Sequence, residues 1–275
     1  MLLTDVICVL PARLSSTRIP RKLLESIAGK PLLEWAWRAA SSVPVFDRVV
    51  VATDSIEIEA CARAFDAEVI RTRPGHRSGT DRVQEAADLL GVGEDAVVVN
   101  FQADEPFVDT ETVGRAVARV GAGIVADDTD AAGREPPDPA EIATLAAPIR
   151  TEAEWRSPGT VKIARAFDGR ALYFSRSPIP FFRDAEPGGC DHGSMRLRHI
   201  GVYACRRAAL RRWASLDESP LERCERLEQL RALEAGIRIH VEVGPATEAG
   251  VDLPADLERA ERVLSAVARA TGGVE

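Results

Sequence analysis

The chain has 275 residues, of which 45% are hydrophobic and 28% charged, enough for one large domain or a main domain with a smaller lobe around a substantial core. Its 43 acidic residues outnumber 35 Lys and Arg for a net charge of -8, which argues against the broad basic surface of a general nucleic-acid binder. Apolar runs fall short of the roughly 18 residues of a membrane-spanning helix, and MLLTDVICVLPAR lacks the basic region and cleavage site of a signal peptide, so a cytoplasmic protein without membrane partners is expected.

In chain order, Val6–Leu10 reads as a buried strand and Pro31–Ser41 as a helix opened by proline. Arg48–Thr53 is a β-branched strand, and Ser55 caps a helix running to Phe65. A short strand at Glu68–Ile70, a helix from Asp81 to Leu90 and the strand Ala96–Phe101 follow. Strands alternating with helices imply an α/β protein with a parallel sheet, whose ligands bind beyond the carboxyl ends of the strands. Those ends carry PAR, TDS and QADEP. Residues 121–141, rich in Gly, Pro, Ala and acid, read as a surface loop. Beyond them ATLAAPI, TVKIARAF, ALYFSRSPIPFF and HIGVYAC read as strands, Leu221–Ala235 as one helix, IRIHVEV as a strand and Pro254–Ala270 as a last helix.

The five cysteines, Cys8, Cys61, Cys190, Cys205 and Cys224, show no CxxC spacing and read as reduced structural thiols; with four scattered histidines they offer no zinc site. GxxxxGK[ST], GxGxxG and GxSxG are all missing, which disfavours P-loop, dinucleotide and serine-hydrolase readings. The loop after the first strand instead concentrates Arg13, Arg18, Arg21 and Lys22, whose forked and compact cations suit phosphates. Asp104, just past a buried strand, is placed to bind Mg2+, a hard cation that takes carboxylate, water and phosphate oxygens. Asp252 precedes the last helix and by spacing alone reads as its N-cap, and Thr80 or Asp81 caps the helix that starts in HRSGTDR. His199 alone reads as a core histidine, and Glu228 and Gln229 as helix surface.

The ordered series PARLSSTRIPRK, VATDS, HRSGTDR, VNFQADEP, VKIA, ALYFSRSPIP, RHIGVYACR, SPLERCERLEQLR and GVDLPADLER resembles the CMP-Kdo synthetases, the 3-deoxy-manno-octulosonate cytidylyltransferases, along nearly the whole chain. The resemblance implies a Rossmann-like nucleotidyltransferase fold: a mainly parallel central sheet with helices on both faces and a smaller acceptor and dimerisation lobe. It implies one domain over 1–275, nucleotide binding in about 1–120, and acceptor binding and dimerisation in about 142–250. Ala12, Arg13, Ser16, Arg18, Lys22, Arg77, Ser78 and Gln102 would bind CTP, with Asp104 and Asp252 on catalytic Mg2+ and Arg13 and Lys22 as catalytic cations. Arg176, His199, Tyr203, Glu228 and Gln229 would hold the acidic acceptor, Arg176 by its carboxylate. The implied reaction is in-line attack of the acceptor's anomeric hydroxyl on the α-phosphorus of CTP with release of diphosphate, in a homodimer paired around ALYFSRSPIPFF through Phe181 and Phe182.

Arg21 and Leu23 stand where the family loop has Gly and Pro, Ala103 replaces the Gly of QGDEP, adding a methyl near the ligand, and Cys205 replaces an aromatic residue. Kdo stays the leading acceptor because YFSR, HIGVY and LEQLR are retained, with 8-amino-Kdo or a small phosphonate such as phosphonoformate as alternatives. A non-catalytic nucleotide-binding relative would lack Asp104 or Asp252, and both are present.

Overall fold

In the computed structural model, which describes residues 5–16, 18–121, 140–183 and 195–271, strand β1 (Val6–Ala12) sends Val6, Cys8 and Leu10 into one apolar core and Ile7 and Val9 into another. Burial of both faces is the mark of a central strand in a parallel sheet. Strands β4 (Arg48–Thr53) and β6 (Val97–Phe101) pair in parallel with β1 on either side, and β5 (Glu68–Arg71) extends the sheet beyond β4. On the other side of β6 come β10 (Leu197–Arg206), β7 (Ile142–Pro148) and β11 (Ile239–Val243), giving the order β11-β7-β10-β6-β1-β4-β5. In this row β10 is the strand that opposes the rest. An antiparallel pair, β8 (Lys162–Arg165) and β9 (Ala171–Ser175), hangs from β10 and forms the smaller lobe.

Helices cover both faces. One core receives α1 (Leu32–Ser41), α2 (Ile56–Arg63), α4 (Thr110–Gly121) and α9 (Pro254–Thr271), through residues such as Leu33, Ile58, Val113 and Leu264. The other receives α3 (Gly79–Leu89), α6 (Arg207–Ser215) and α8 (Gln229–Glu234), through Val83, Leu210 and Leu230. The remaining elements are small: the antiparallel β2 (Ser26–Ile27) and β3 (Lys30–Pro31), and helices α5 (Glu152–Arg156) and α7 (Pro220–Glu225). No helix among the described residues is long and apolar enough to cross a membrane.

Most expected strands stand where periodicity put them, and Ser55 caps α2 by accepting from the Ile58 amide at 3.3 Å. Helix α3 is capped by Ser78, which accepts from Asp81 N at 3.2 Å, not by Thr80 or Asp81; the Thr80 hydroxyl is engaged elsewhere. The stretch Leu221–Ala235 is not one helix. Arg226, at φ 57°, ends α7, and α8 begins three residues later. ALYFSRSPIPFF is strand as far as Ser175. Helices α4 and α6 fall outside the expected elements, although Val113, Ala116, Val117 and Val120 do follow helical spacing. The expected loop 121–141 lies outside the described residues, except that Gly121 closes α4 and Ala140 and Glu141 lead into β7. Cys8, Cys61, Cys205 and Cys224 are free, with burial pushing the Cys8 and Cys205 thiols up, and Cys190 lies outside the described residues.

Arg21 explains its own departure from the family loop. It adopts φ 55° and ψ 29°, the left-handed region that favours glycine, and its guanidinium pairs with Glu57 at 2.5 Å in an exposed contact. Exposed ion pairs contribute little, so the backbone term dominates. Arg21→Gly is expected to raise stability by roughly 0.5–1 kcal/mol in urea unfolding, and a loss of stability would contradict the assignment.

Candidate active site

The loop leaving β1 starts from buried Ala12, carries Arg13, Ser16 and Arg18 around its exposed turn and returns inward at Lys22. The Lys22 side chain is 10% exposed, and Nζ donates to Asp104 Oδ2 at 2.5 Å, Asp252 Oδ1 at 3.2 Å and the Val251 carbonyl at 2.9 Å. Arg18 pairs with the other oxygen of Asp252. Burial alone would lower the Lys22 pKa, but Asp104 and Asp252 outweigh it and hold the ammonium above its usual value. Asp252 responds oppositely: burial would raise it, and Lys22 and Arg18 together pull it below the usual carboxylate range.

Asp252 is not the helix cap that its position suggests. Asp256 reaches back from the first turn of α9 and accepts from the amides of Asp252 and Leu253 at 2.9 and 2.7 Å. The Asp252 carboxylate is thereby left to the site. Val251 N donates to Asp104 O at 3.0 Å, tying the loop before α9 to the loop after β6. Gly250 permits that approach, since a Cβ there would lie 2.8 Å from Glu105 Oε2 and 2.9 Å from Asp104 O. Ala103 is buried in the core beneath, where its methyl is absorbed by packing.

Glu105 accepts from Gly201 N at 3.0 Å, and Gln102 N donates to Gly201 O at 3.0 Å, so both backbone groups of Gly201 belong to the QADEP loop. Burial, helped by the charge of Asp104, pushes Glu105 up to about 7. The Gln102 side chain lies over Gly201, where a Cβ would come within 2.5 Å of its Oε1.

A cavity of about 510 Å³ opens between the loop after β1 and the loops after β4 and β5, with Arg13, Asp54, His76 and Arg82 on its walls. Arg13 has no ion-pair partner among the described residues. Buried Arg82 braces the floor through Asp54 at 3.1 Å and Thr72 at 2.5 Å. Ser78 is occupied as the α3 cap, and exposed Arg77 contacts Asp81 at 3.3 Å and the Leu216 carbonyl at 3.4 Å.

The break at Arg226 turns Glu228 and Gln229 inward. Glu228 accepts from Thr80 Oγ1 at 2.9 Å, and its carbonyl accepts from Trp213 Nε1 at 3.2 Å. Gln229 is buried with Nε2 unpartnered. They are not the helix surface that spacing alone implies. Phe174, His199, Tyr203 and Trp213 form a wall of rings with centroids 5.2–5.3 Å apart, in which Tyr203 is fully buried and backs His199. Arg176 Nε and NH1 donate to the carbonyls of Glu225 and Pro158 at 2.8 and 2.9 Å. Burial, then the nearby charge of Arg18, lower the Arg176 pKa against the pull of Asp252 and Glu225, so this guanidinium shares its field with the Lys22 cluster. Buried Lys162 fixes the Arg176 backbone: Nζ donates to the carbonyls of Arg176 at 2.5 Å and of Ser157 and Thr160 at 2.7 Å, and burial pulls it down to about 8. Spacing alone did not single out Glu105, Gly201, Lys162 or Thr144, although all but Thr144 lie inside the motif stretches.

A cytidylyltransferase family model matches residues 7–239. The 3-deoxy-manno-octulosonate cytidylyltransferase of Halorhodospira halophila is 43% identical over 93% of this chain and 95% of its own length. That of Pseudomonas syringae pv. syringae is 42% identical over 93% of this chain and 96% of its own length. A solved structure of CMP:2-keto-3-deoxy-manno-octonic acid synthetase complexed with CTP superposes with a TM-score of 0.79 at 36% identity, covering 96% of this chain and all of that one. A 4-diphosphocytidyl-2C-methyl-D-erythritol synthase, at 16% identity and a TM-score of 0.59 over 95% of this chain and 99% of its own, shares the fold.

His199 yields a pH-dependent prediction. Burial and the charge of Arg198 lower its pKa to about 3 from 6.5. The unfolded chain therefore binds a proton that the folded chain refuses, so stability is full above pH 6.5 and is lost as pH falls toward 3. His199→Gln is expected to flatten the fall in unfolding free energy between about pH 6 and 4, by up to about 1.4 kcal/mol per pH unit. Equal slopes for the two proteins would contradict it.

Proposed function

The chain belongs to the cytidylyltransferase family, and from that premise we propose that it transfers CMP from CTP to the anomeric hydroxyl of 3-deoxy-manno-octulosonate, releasing diphosphate. The observation that carries this reading is the convergence of Lys22, Asp104 and Asp252, with Arg18 on the same carboxylate and Arg176 in the field of Arg18 and Asp252, an arrangement that supports phosphate handling beside a cation for the acceptor carboxylate. Relatives named for this reaction match over nearly the full chain, and a solved relative complexed with CTP has the same fold, which supports both substrates.

The donor set suits Mg2+. Asp104 and Asp252 already point at one cation, the Lys22 ammonium, and both are hard oxygen donors. Among the described residues no third His, Cys, Asp or Glu completes a metal cluster, which fits an ion that takes its other oxygens from water and substrate phosphates. Bound there, Mg2+ would supply Lewis-acid charge to the α-phosphate and lower the pKa of the attacking hydroxyl. The chain's own residues align two anions and offset their repulsion. Arg13, Arg18 and Lys22 line the approach of the triphosphate and offset the negative charge that builds on the departing diphosphate. Arg176 takes the acceptor carboxylate. Glu228 and Gln229 offer an acceptor and an unpartnered donor for its hydroxyls. The oxygen–phosphorus bond to the sugar forms as the α–β bridging bond breaks in line.

The Arg21 guanidinium reaches Glu57 of α2 in an exposed contact. The reading extends to a cytoplasmic homodimer. Phe181 is 87% exposed and Leu172 is also exposed on this lobe, which supports pairing there, whereas Phe182 is tied to Trp155 and Arg196 within the protomer.

With CTP, Mg2+ and Kdo, diphosphate release is expected in a coupled assay, and Asp104→Asn or Asp252→Asn should each lower the rate about 100-fold or more. Release with phosphonoformate and none with Kdo would overturn the acceptor; rates unchanged by both substitutions would overturn the metal role. Light scattering at micromolar concentration should give twice the 29.7 kDa chain mass, and a monomer would contradict the dimer.

A further inference from the structure

Strand β10 carries a bulge beside the site. Ile200 pairs with Leu145 but Tyr203 pairs with Thr144, so Gly201 and Val202 have no counterparts in β7. A bulge releases carbonyls from the ladder and re-aims side chains. The hydroxyl of buried Thr144 fills this gap: Oγ1 lies 2.8 Å from Val202 O, 3.5 Å from Ile200 O and 3.0 Å from His199 Nε2.

Proton counting then determines the histidine. A hydroxyl has one proton to give, and a carbonyl oxygen can only accept. The short contact to Val202 O takes the Thr144 proton, so Oγ1 turns a lone pair to His199, and Nε2 must bear the hydrogen between them. The ring is neutral, because burial and Arg198 disfavour the imidazolium. In the neutral ring with Nε2–H, Nδ1 is an acceptor. Nδ1 has no hydrogen-bonding partner among the described residues, and His199 keeps partial exposure where Phe174 and Tyr203 on the same wall are buried.

We propose that Thr144 is a positioning residue that fixes His199 as its neutral Nε2–H tautomer, so that Nδ1 receives the hydroxyl hydrogen of a polyhydroxylated acceptor. The acceptor's identity rests on the function proposed above; the tautomer does not. The device selects for acceptors that bring a hydroxyl donor, which a fully ionised small phosphonate lacks. A mismatch would leave the Nδ1 lone pair unpaired once the bound acceptor covers it, the kind of penalty that gives polar sites their discrimination.

The test is a long-range nitrogen–proton correlation spectrum of the protein carrying isotope-labelled histidine, with His199→Gln assigning the peak. The wild type should show Nε2 protonated and Nδ1 unprotonated. Thr144→Ser should keep that pattern, and Thr144→Val should give a mixture or the reversed tautomer. Adding Kdo and CTP should shift the Nδ1 resonance. In kinetics, Thr144→Val should raise the KM for Kdo about 10-fold with little change in that for CTP, and Thr144→Ser should restore it. A wild-type His199 protonated on Nδ1, or an Nδ1 resonance and a Kdo KM both indifferent to Thr144→Val, would overturn the proposal. A wild-type spectrum with Nε2–H in a protein that does not use Kdo would count against the acceptor and leave the tautomer standing.

Discussion

The ammonium group of Lys22 joins three segments distant in the chain: the loop after β1, the loop after β6 and the loop before α9. It is held by two carboxylates and a carbonyl in a place where burial alone would disfavour its charge. Removing it would leave Asp104 and Asp252 facing one another with Arg18 as the remaining counter-charge, and uncompensated charge in a partly buried site is costly. The arrangement is a cation site before any substrate arrives. That gives a basic loop on an acidic protein its physical reason: the loop carries the cation that keeps the acidic pair together.

The second organising feature is the bulge at Gly201. Its amide is taken by Glu105 and its carbonyl by Gln102, on the side of Asp104 and Asp252. One residue on, the Val202 carbonyl is taken by Thr144, on the side of His199 and the wall of rings. One irregularity in the antiparallel strand thus couples the two halves of the site through the backbone. Bulges next to active sites re-aim side chains in this way. The lack of a side chain at Gly201 is part of the design, because the Gln102 amide occupies the space a Cβ would need.

How much of this was legible in the sequence depends on where each cause lies. Strands β1, β4 and β6 are apolar on both faces by local sequence, and they form where that pattern puts them. The break at Arg226 is invisible to periodicity, because Leu221, Cys224, Leu227 and Leu230 recur every three residues across it; the turn shows in the positive φ of Arg226 and in the bond from Trp213 to the Glu228 carbonyl. Asp252 reads locally as a cap, and its freedom rests on Asp256 four residues on doing the capping instead. Thr80 reads as a cap for the same local reason, but Glu228, contributed from far along the chain, claims its hydroxyl. The motif stretches bring Lys22, Asp104 and Asp252 together, whereas Tyr203 and Gln229 from the same stretches are buried and Ser78 caps α3. The supporting residues, Lys162, Glu105 and Thr144, emerge from three-dimensional hydrogen-bond accounting.

The central claim is that Asp104 and Asp252 form one cation site, held by Lys22 until a metal–nucleotide complex takes it. A crystal structure of the protein with CTP and Mg2+ tests it most directly. The account predicts both carboxylates on a metal and Lys22 Nζ moved onto a phosphate oxygen. Lys22 still bridging Asp104 and Asp252 with nucleotide and metal bound elsewhere would contradict it.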